Sequence, residues 1–227
     1  MFKFKQFSIR QDRCAMKLST DGVLLGAWAR GGCRVLDIGT GTGVIALMMA
    51  QRYPKAEVVG IDIDAAAVAQ ASENALASPF GERITMIQTD VCSFHSSVPF
   101  DCIVCNPPFF VDSLHSPDRR RSLARHADTL TYRMLMQNSW RLLTDNGQLS
   151  VIIPFDCRER LESEAFLAGF FKAREVAVKT TPQKSVRRYL LAFNKHPVKV
   201  EKAEGVLEDS PKHRSVWYDT LTTDFYL

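Results

Sequence analysis

An alternation of short apolar runs with stretches of helical period restricts the fold of this chain more than any other feature. RVLDI (34–38) is closed by GTGTG and followed by VIALMMAQR (44–52), which is rich in good helix formers. EVVGID (57–62) precedes the alanine-rich AAAVAQASENALAS (65–78). RITMIQ, FDCIVC (100–105) and GQLSVIIP (147–154) read as three more strands, with the helical TLTYRMLMQNSWRLL (129–143) before the last. These strand runs are almost continuously apolar, as strands covered on both faces must be. The expectation is a doubly wound α/β fold, a mostly parallel sheet with helices on both sides.

A further helix is expected over about 156–169. After it, AREVAVKT and RRYLLAFNK are β-rich with no helix-length pattern between them, so they predict a closing antiparallel strand pair. Residues 1–30 read as an N-terminal extension with a capping helix, DGVLLGAWA, for which Thr20 is the expected N-cap. The tail SVWYDTLTTDFYL is too aromatic for a disordered end and is expected to dock on the body. No internal repeat or linker marks a boundary, so residues 1–227 are read as a single domain. At 227 residues and 46% hydrophobic, the chain can bury one sizeable core.

No apolar run approaches the roughly 20 residues needed to span a bilayer. The start, MFKFKQFSIRQDRCAMK, lacks the apolar core and small-residue cleavage site of a signal peptide. A cytoplasmic location with no membrane partner is the expectation. Cys102 and Cys105 form a C-x-x-C pair, but residues three apart on a strand point to opposite faces, and no second pair completes a zinc set. Reduced, mostly buried thiols and no metal are therefore expected. The net charge of +4 is mildly basic and fits a nucleic-acid partner without requiring one.

In an open parallel sheet, ligands bind outside the carboxyl ends of the strands. Gly39-Thr40-Gly41-Thr42-Gly43 follows the first strand, Asp62 ends the second, Asp90 follows the third, and Asn106-Pro107-Pro108-Phe109 follows the fourth. All four groups fall on one edge. Glycines let a ligand approach the backbone, and a carboxylate at the second strand end can accept hydrogen bonds from both hydroxyls of a ribose. Asp62 could instead belong to a helix cap, a role Asp64 can fill. Asp90 can meet the amino group of an adenine, or serve as a turn aspartate. The dinucleotide fingerprint G-x-G-x-x-G is not matched, because Val44 stands three beyond Gly41. Asp37, beside the loop, would repel a pyrophosphate but suits a cationic amine and sulfonium, unless it is a buried aspartate satisfied by backbone amides. S-adenosylmethionine carries that amine and sulfonium and no phosphate. The expected cofactor-binding set is Asp37, Gly39, Gly41, Asp62, Ile63, Asp90, Val91 and Asn106.

Together VLDIGTGTG, GIDID and NPPF resemble the class I S-adenosylmethionine-dependent methyltransferases, whose fold is Rossmann-like. The NPPF tetrad is similar to that of the members methylating a planar amino nitrogen, on adenine or on a glutamine amide. DRCAMKLSTDGVLLGAWA (12–29), SPDRRRSLARHA (116–127) and YDTLTTDFYL narrow the resemblance to the bacterial tRNA adenine-N6 methyltransferases. It covers nearly the whole chain and is weakest around residues 195–210. It implies methyl transfer to N6 of an adenine in the anticodon loop, next to the anticodon of a valine tRNA. The departures from that reading are a protein glutamine-N5 methyltransferase, or an adenine-N6 methyltransferase acting on rRNA or DNA. A nicotinamide-dependent oxidoreductase is weakened by Val44 and Asp37, and a non-catalytic RNA-binding module by the unbroken catalytic positions.

The chemistry supplies a reason for the tetrad. An exocyclic amino nitrogen is a poor nucleophile because its lone pair is delocalised into the ring. The side-chain carbonyl of Asn106 and the backbone carbonyl of Pro107 would take its two hydrogens and turn the lone pair toward the methyl, with Phe109 stacking on the base. The alternative is a rigid strand exit. Transfer is expected to be direct, with no catalytic histidine; His115 and His126 are expected in an RNA-facing loop. Arg119, Arg120, Arg121, Arg125 and His126 form the expected RNA-binding set, Arg125 matching the family pattern. The resemblance further suggests that Lys17 or Thr20 closes over the methionine end of the cofactor.

Overall fold

The computed structural model describes residues 1–14, 16–108, 130–210 and 213–227. Phe109, Arg119, Arg120, Arg121, Arg125 and His126, together with His115, lie outside the described residues.

Short strands β1 (Phe2–Lys3) and β2 (Ser8–Ile9) open the chain, followed by α1 (Thr20–Trp28). Ser19, one residue before the expected cap, is the N-cap: it is extended and its side chain accepts from the Gly22 amide at 3.3 Å. Thr20 is thus the first helical residue. Every residue of α1 from Gly22 to Trp28 is buried, the state proper to a helix that is apolar all round.

The sheet is built from β3 (Arg34–Ile38), β4 (Glu57–Asp62), β5 (Ile84–Gln88), β6 (Phe100–Cys105), β7 (Leu143–Pro154), β8 (Phe171–Lys179), β9 (Val186–Asn194) and β10 (Glu201–Val206). Their spatial order is β10-β8-β9-β7-β6-β3-β4-β5. Strands β3 to β7 pair in parallel, while β9 runs antiparallel to both β7 and β8. The closing antiparallel pair is therefore present. Strand β7 begins earlier than expected, its register slipping between Phe100 and Cys102 of β6 so that the DNG turn is absorbed. Edge strand β10, parallel to β8, was not anticipated. Its Glu-Lys-Ala-Glu start is exposed, the polar habit of a protected sheet edge, and it carries no apolar period to read.

Helices α2 (Val44–Arg52), α3 (Ala65–Leu76), α4 (Tyr132–Leu142) and α5 (Arg158–Leu167) connect the strands. Side chains alternate across the sheet as a pleated strand requires. Val35, Cys102 and Val104 join α1 and α2 in one core, whereas Leu36, Ile103 and Cys105 join α4 and α5 in the other. Cys102 and Cys105 consequently face opposite layers. A small pair, β11 (Glu208–Ser210) and β12 (His213–Arg214), leads to α6 (Val216–Thr222), and Tyr218 and Phe225 bury themselves in the first core. No helix among the described residues is long and apolar enough to cross a membrane.

Candidate active site

The chain passes from β3 to β4 and β5 on one side, then returns to β6 on the other side of β3. That reversal is the switch point at which open α/β sheets bind ligands. A cavity of about 260 Å³ opens there, bounded by the exits of β3, β4, β5 and β6.

The loop after β3 holds its shape through positive φ at Gly39 (71°), Gly41 (54°) and Gly43 (79°). A Cβ at Gly39 would meet nothing within 4 Å, so the backbone there borders open cavity. The loop's amides are turned inward. Gly39 and Thr40 donate to the Ile61 carbonyl at 2.9 and 3.0 Å, Gly41 to Asp62 Oδ2 at 2.9 Å, and Gly43 to the Thr40 carbonyl at 2.8 Å. These four donors are committed to the protein itself, so the loop offers none of them to a pyrophosphate.

Asp37 lies beneath this loop, fully buried and outside the cavity lining. Its Oδ2 accepts from the Thr40 hydroxyl at 2.7 Å and from the Ala46 amide, in the first turn of α2, at 3.2 Å. Its other oxygen has no partner among the described residues. Burial pushes this carboxyl up to about 7; the two hydrogen bonds oppose the rise and Asp62 adds to it. The geometry gives Asp37 the work of tying β3, the glycine loop and α2 together.

Asp62 bridges in the same way at the end of β4, taking Gly41 on one oxygen and the Asp64 amide on the other, at 3.0 Å. Each oxygen retains a lone pair, and the residue lines the cavity. Asp64 is the N-cap of α3, accepting from Ala66 at 2.9 Å, so Asp62 is released from that duty. Ile63 follows, an apolar side chain left 56% exposed on the cavity wall. Asp90 is exposed there too; it holds a turn through the Cys92 amide at 2.8 Å, and buried Val91 beside it also lines the cavity. Both of its sequence readings, turn former and cavity residue, are compatible with this position.

Asn106 stands at the exit of β6 on the cavity lining. Its Oδ1 is buried and has no hydrogen-bond partner among the described residues. An unmet buried acceptor costs about 1–3 kcal/mol, which makes it a ready receptor for an N–H brought by a ligand. Pro107 is buried and Pro108 lines the cavity. Cys105 also borders it, but burial holds its thiol well above the ordinary range, with Asp37 and Asp62 adding, so it stays neutral.

The remaining wall comes from the N-terminal segment, with Cys14, Lys17, Leu18 and Ser19 on the lining; Thr20 is not. Asn74 of α3 pins that segment down. Its amide donates to the carbonyls of Arg10 and Thr42 and its oxygen accepts from the Arg10 amide, all at 2.9 Å. Gln70 takes the Arg13 amide and Glu73 pairs with the Arg13 guanidinium. Nothing in the sequence pattern singled out Asn74, because a polar residue on a helix usually faces water. Leu130 and Met134, before and within α4, complete the lining and were also missed, since they read only as helix core. No group of three or more His, Cys, Asp or Glu side chains gathers as a metal site among the described residues.

The model of the methyltransferase small domain matches residues 23–184, most of the chain and every strand exit just described. The chain is 44% identical to a Bacteroides thetaiotaomicron protein named tRNA1(Val) (adenine(37)-N6)-methyltransferase, over 100% of this chain and 97% of that one. Proteins of the same name from Phocaeicola vulgatus and Tolumonas auensis are 46% and 40% identical, covering 100% of this chain and 97% and 96% of theirs. The chain belongs to this methyltransferase family. Among solved structures, an Agrobacterium tumefaciens protein described as a predicted O-methyltransferase superposes with a TM-score of 0.71, covering 90% of this chain and 96% of that one at 19% identity. A TehB-like methyltransferase from Corynebacterium glutamicum gives 0.54 at 19% identity, over 78% and 89%. These two likenesses show the fold.

The methyltransferase family uses S-adenosylmethionine as the methyl donor, and the cavity suits it. It offers a carboxylate with spare lone pairs for a ribose, apolar Ile63 and Val91 for a base, and a loop whose Gly39, Thr40, Gly41 and Gly43 amides are engaged within the protein rather than open to phosphate.

Proposed function

We propose that this methyltransferase transfers a methyl group to N6 of an adenine beside the anticodon of a tRNA, the relatives' names pointing to position 37 of a valine tRNA. The observation that carries the reading is the Oδ1 of Asn106 at the cavity wall, buried and without a hydrogen-bond partner among the described residues. It is an acceptor waiting for an amino hydrogen. A tRNA-modifying role implies work in the cytoplasm.

S-adenosylmethionine, when bound, supplies an electrophilic methyl on a sulfonium. Asp62 would hold its ribose, Ile63, Asp90 and Val91 its adenine, and the glycine loop with Lys17 and Ser19 its methionine end. Asp37 supports that arrangement from below, by fixing the loop. Asn106 Oδ1 takes one hydrogen of the target amine and the Pro107 carbonyl the other, so that the lone pair, otherwise delocalised into the ring, localises on the nitrogen toward the methyl. The prolines contribute no N–H to compete for those acceptors and stiffen the chain behind them. Rate enhancement then comes from alignment more than from proton abstraction. The methylated nitrogen is acidic and loses its proton to water or through Asn106. Phe109 would stack on the base, and Arg119 to His126 would contact phosphates.

The test is incubation with methyl donor and unmodified tRNA, followed by mass spectrometry of the nucleosides. N6-methyladenosine at the position next to the anticodon is expected. Label found only in a ribosomal protein glutamine, with tRNA untouched, would transfer the clamp to an amide substrate and end the RNA reading.

A further inference from the structure

A second concavity, of about 530 Å³, opens on the same sheet edge, beyond the exit of β7. It is lined by Asp21, Phe155, Asp156, Ser185, Arg187 and Arg188, among others. Because β7 is parallel to β6 and β9 antiparallel to it, the end of β7 and the start of β9 both emerge beside Asn106. Cys105 pairs with Val151, and Pro154 with Arg188. Phe155 therefore sits one strand across and about three residues further out than Asn106, roughly 10 Å away at the rise of a β-strand. That is the span of one or two nucleotides of an extended strand.

Phe155 is 51% exposed, unusual for a phenylalanine directly after a core strand. Its inner face is supported: the ring stacks on buried Tyr189, with centroids 6.0 Å apart and planes 26° apart. A rigid aromatic with its other side open is a platform for a planar group. Around it, the side chains of Asp156, Ser185 and Arg187 make no hydrogen bond or ion pair among the described residues, giving acceptor, hydroxyl and donor in one place. The lining holds two acids and two arginines, so it has no excess of positive charge. A phosphate would want that excess; the edge of a base, which carries donors and acceptors both, does not. The concavity also joins the first one mechanically. Arg188 pairs with Asp21 at 2.6 Å, and Asp21 lies in the first turn of α1 between Ser19 and Gly22, which line the cofactor cavity.

Resting on the tRNA reading above, we propose that this second concavity is a base-binding subsite. It takes an unstacked nucleotide of the anticodon loop that neighbours the target adenine, on Phe155.

The test compares wild type with F155A, F155Y and a remote surface control, F166A, on synthetic anticodon arms. The arms are intact or made abasic on one or the other side of the target adenine. F155A is expected to raise KM for the intact arm about tenfold, the scale of one lost base–aromatic stack, with kcat and donor affinity within about twofold. F155Y and F166A stay near wild type. One of the abasic arms should cost the wild type about the same factor and F155A nothing further. An F155A indistinguishable from wild type, or an abasic penalty that adds to it in full, overturns the subsite. Failure of the wild type to methylate any arm overturns the tRNA reading instead. Methylation of a protein substrate whose KM rises in F155A would assign the concavity to a polypeptide and overturn the base.

Discussion

Asn106 and Asp62 both project from strand ends into one cavity, yet they differ in how much hydrogen bonding they already make. Asn106 Oδ1 has no partner among the described residues, so its removal breaks no hydrogen bond to that oxygen within them. Asn106→Ala is expected to bind the donor within about twofold of wild type and to lose about a hundredfold in kcat, the cost of removing one preorganised partner of a reacting group. Calorimetry and single-turnover kinetics separate the two effects. Asp62 already anchors Gly41 and Asp64, so Asp62→Ala strikes the loop as well as the proposed ribose contact. Donor affinity should fall by about tenfold or more; unchanged affinity in a titration would remove Asp62 from the cofactor set. Asp37 has a signature in pH. Its folded value, about 7, lies above the ordinary carboxylate value of 3.8, so between those values the folded state keeps a proton that the unfolded chain has released. Stability contributed by that proton is present at low pH and lost as pH rises through the window. Asp37→Asn, which cannot ionise, should gain in melting temperature relative to wild type as pH rises from about 4 to about 7. A difference flat with pH would show that the carboxyl does not titrate there.

At the scale of elements, α3 is more than a cover for the sheet. Through Asn74 it grips Arg10 and Thr42 together, binding the N-terminal segment to the glycine loop. Asn74→Leu keeps the volume and strands three backbone groups. A loss of about 1–3 kcal/mol in stability is expected, with faster amide exchange over residues 10–19 and weaker donor binding. Exchange unchanged over that segment would mean the segment is held elsewhere. The strands and helices of the sheet core were legible in the sequence because their apolar periods are long and uninterrupted. What the cavity needs from the N-terminal segment was not, because Asn74 and Gln70 act across more than fifty residues of chain and leave no local pattern. Ser19 in place of Thr20 as the cap is a matter of one residue between two hydroxyls. Strand β10, mostly charged over its exposed Glu201–Glu204 stretch, offers nothing that periodicity can find.

For the molecule as a whole, the two chain ends close on one another over the α1–α2 layer. Lys5 donates its backbone amide to the Phe225 carbonyl at 2.8 Å, Phe4 stacks near Tyr226, and Trp217 lies against Gly205 of β10 so closely that a Cβ there would clash. The docked tail was foreseen from its aromatics; the edge strand that receives it was not. Phe225 is 2% exposed, and Phe225→Ala is expected to cost about 3–5 kcal/mol in denaturant midpoints while sparing kcat in the folded fraction. A mild effect would mean that the tail is an ornament on an already complete core.

The inward turn of the glycine loop reaches beyond fold and affinity, to what the enzyme ignores. ATP shares the adenosine half of the methyl donor and is abundant wherever tRNA is made. Here its triphosphate would find those backbone donors already engaged and a buried carboxyl below them. Selectivity against the commonest adenine nucleotide thus follows from how the loop's own donors are spent, on the Ile61 and Thr40 carbonyls and on Asp62.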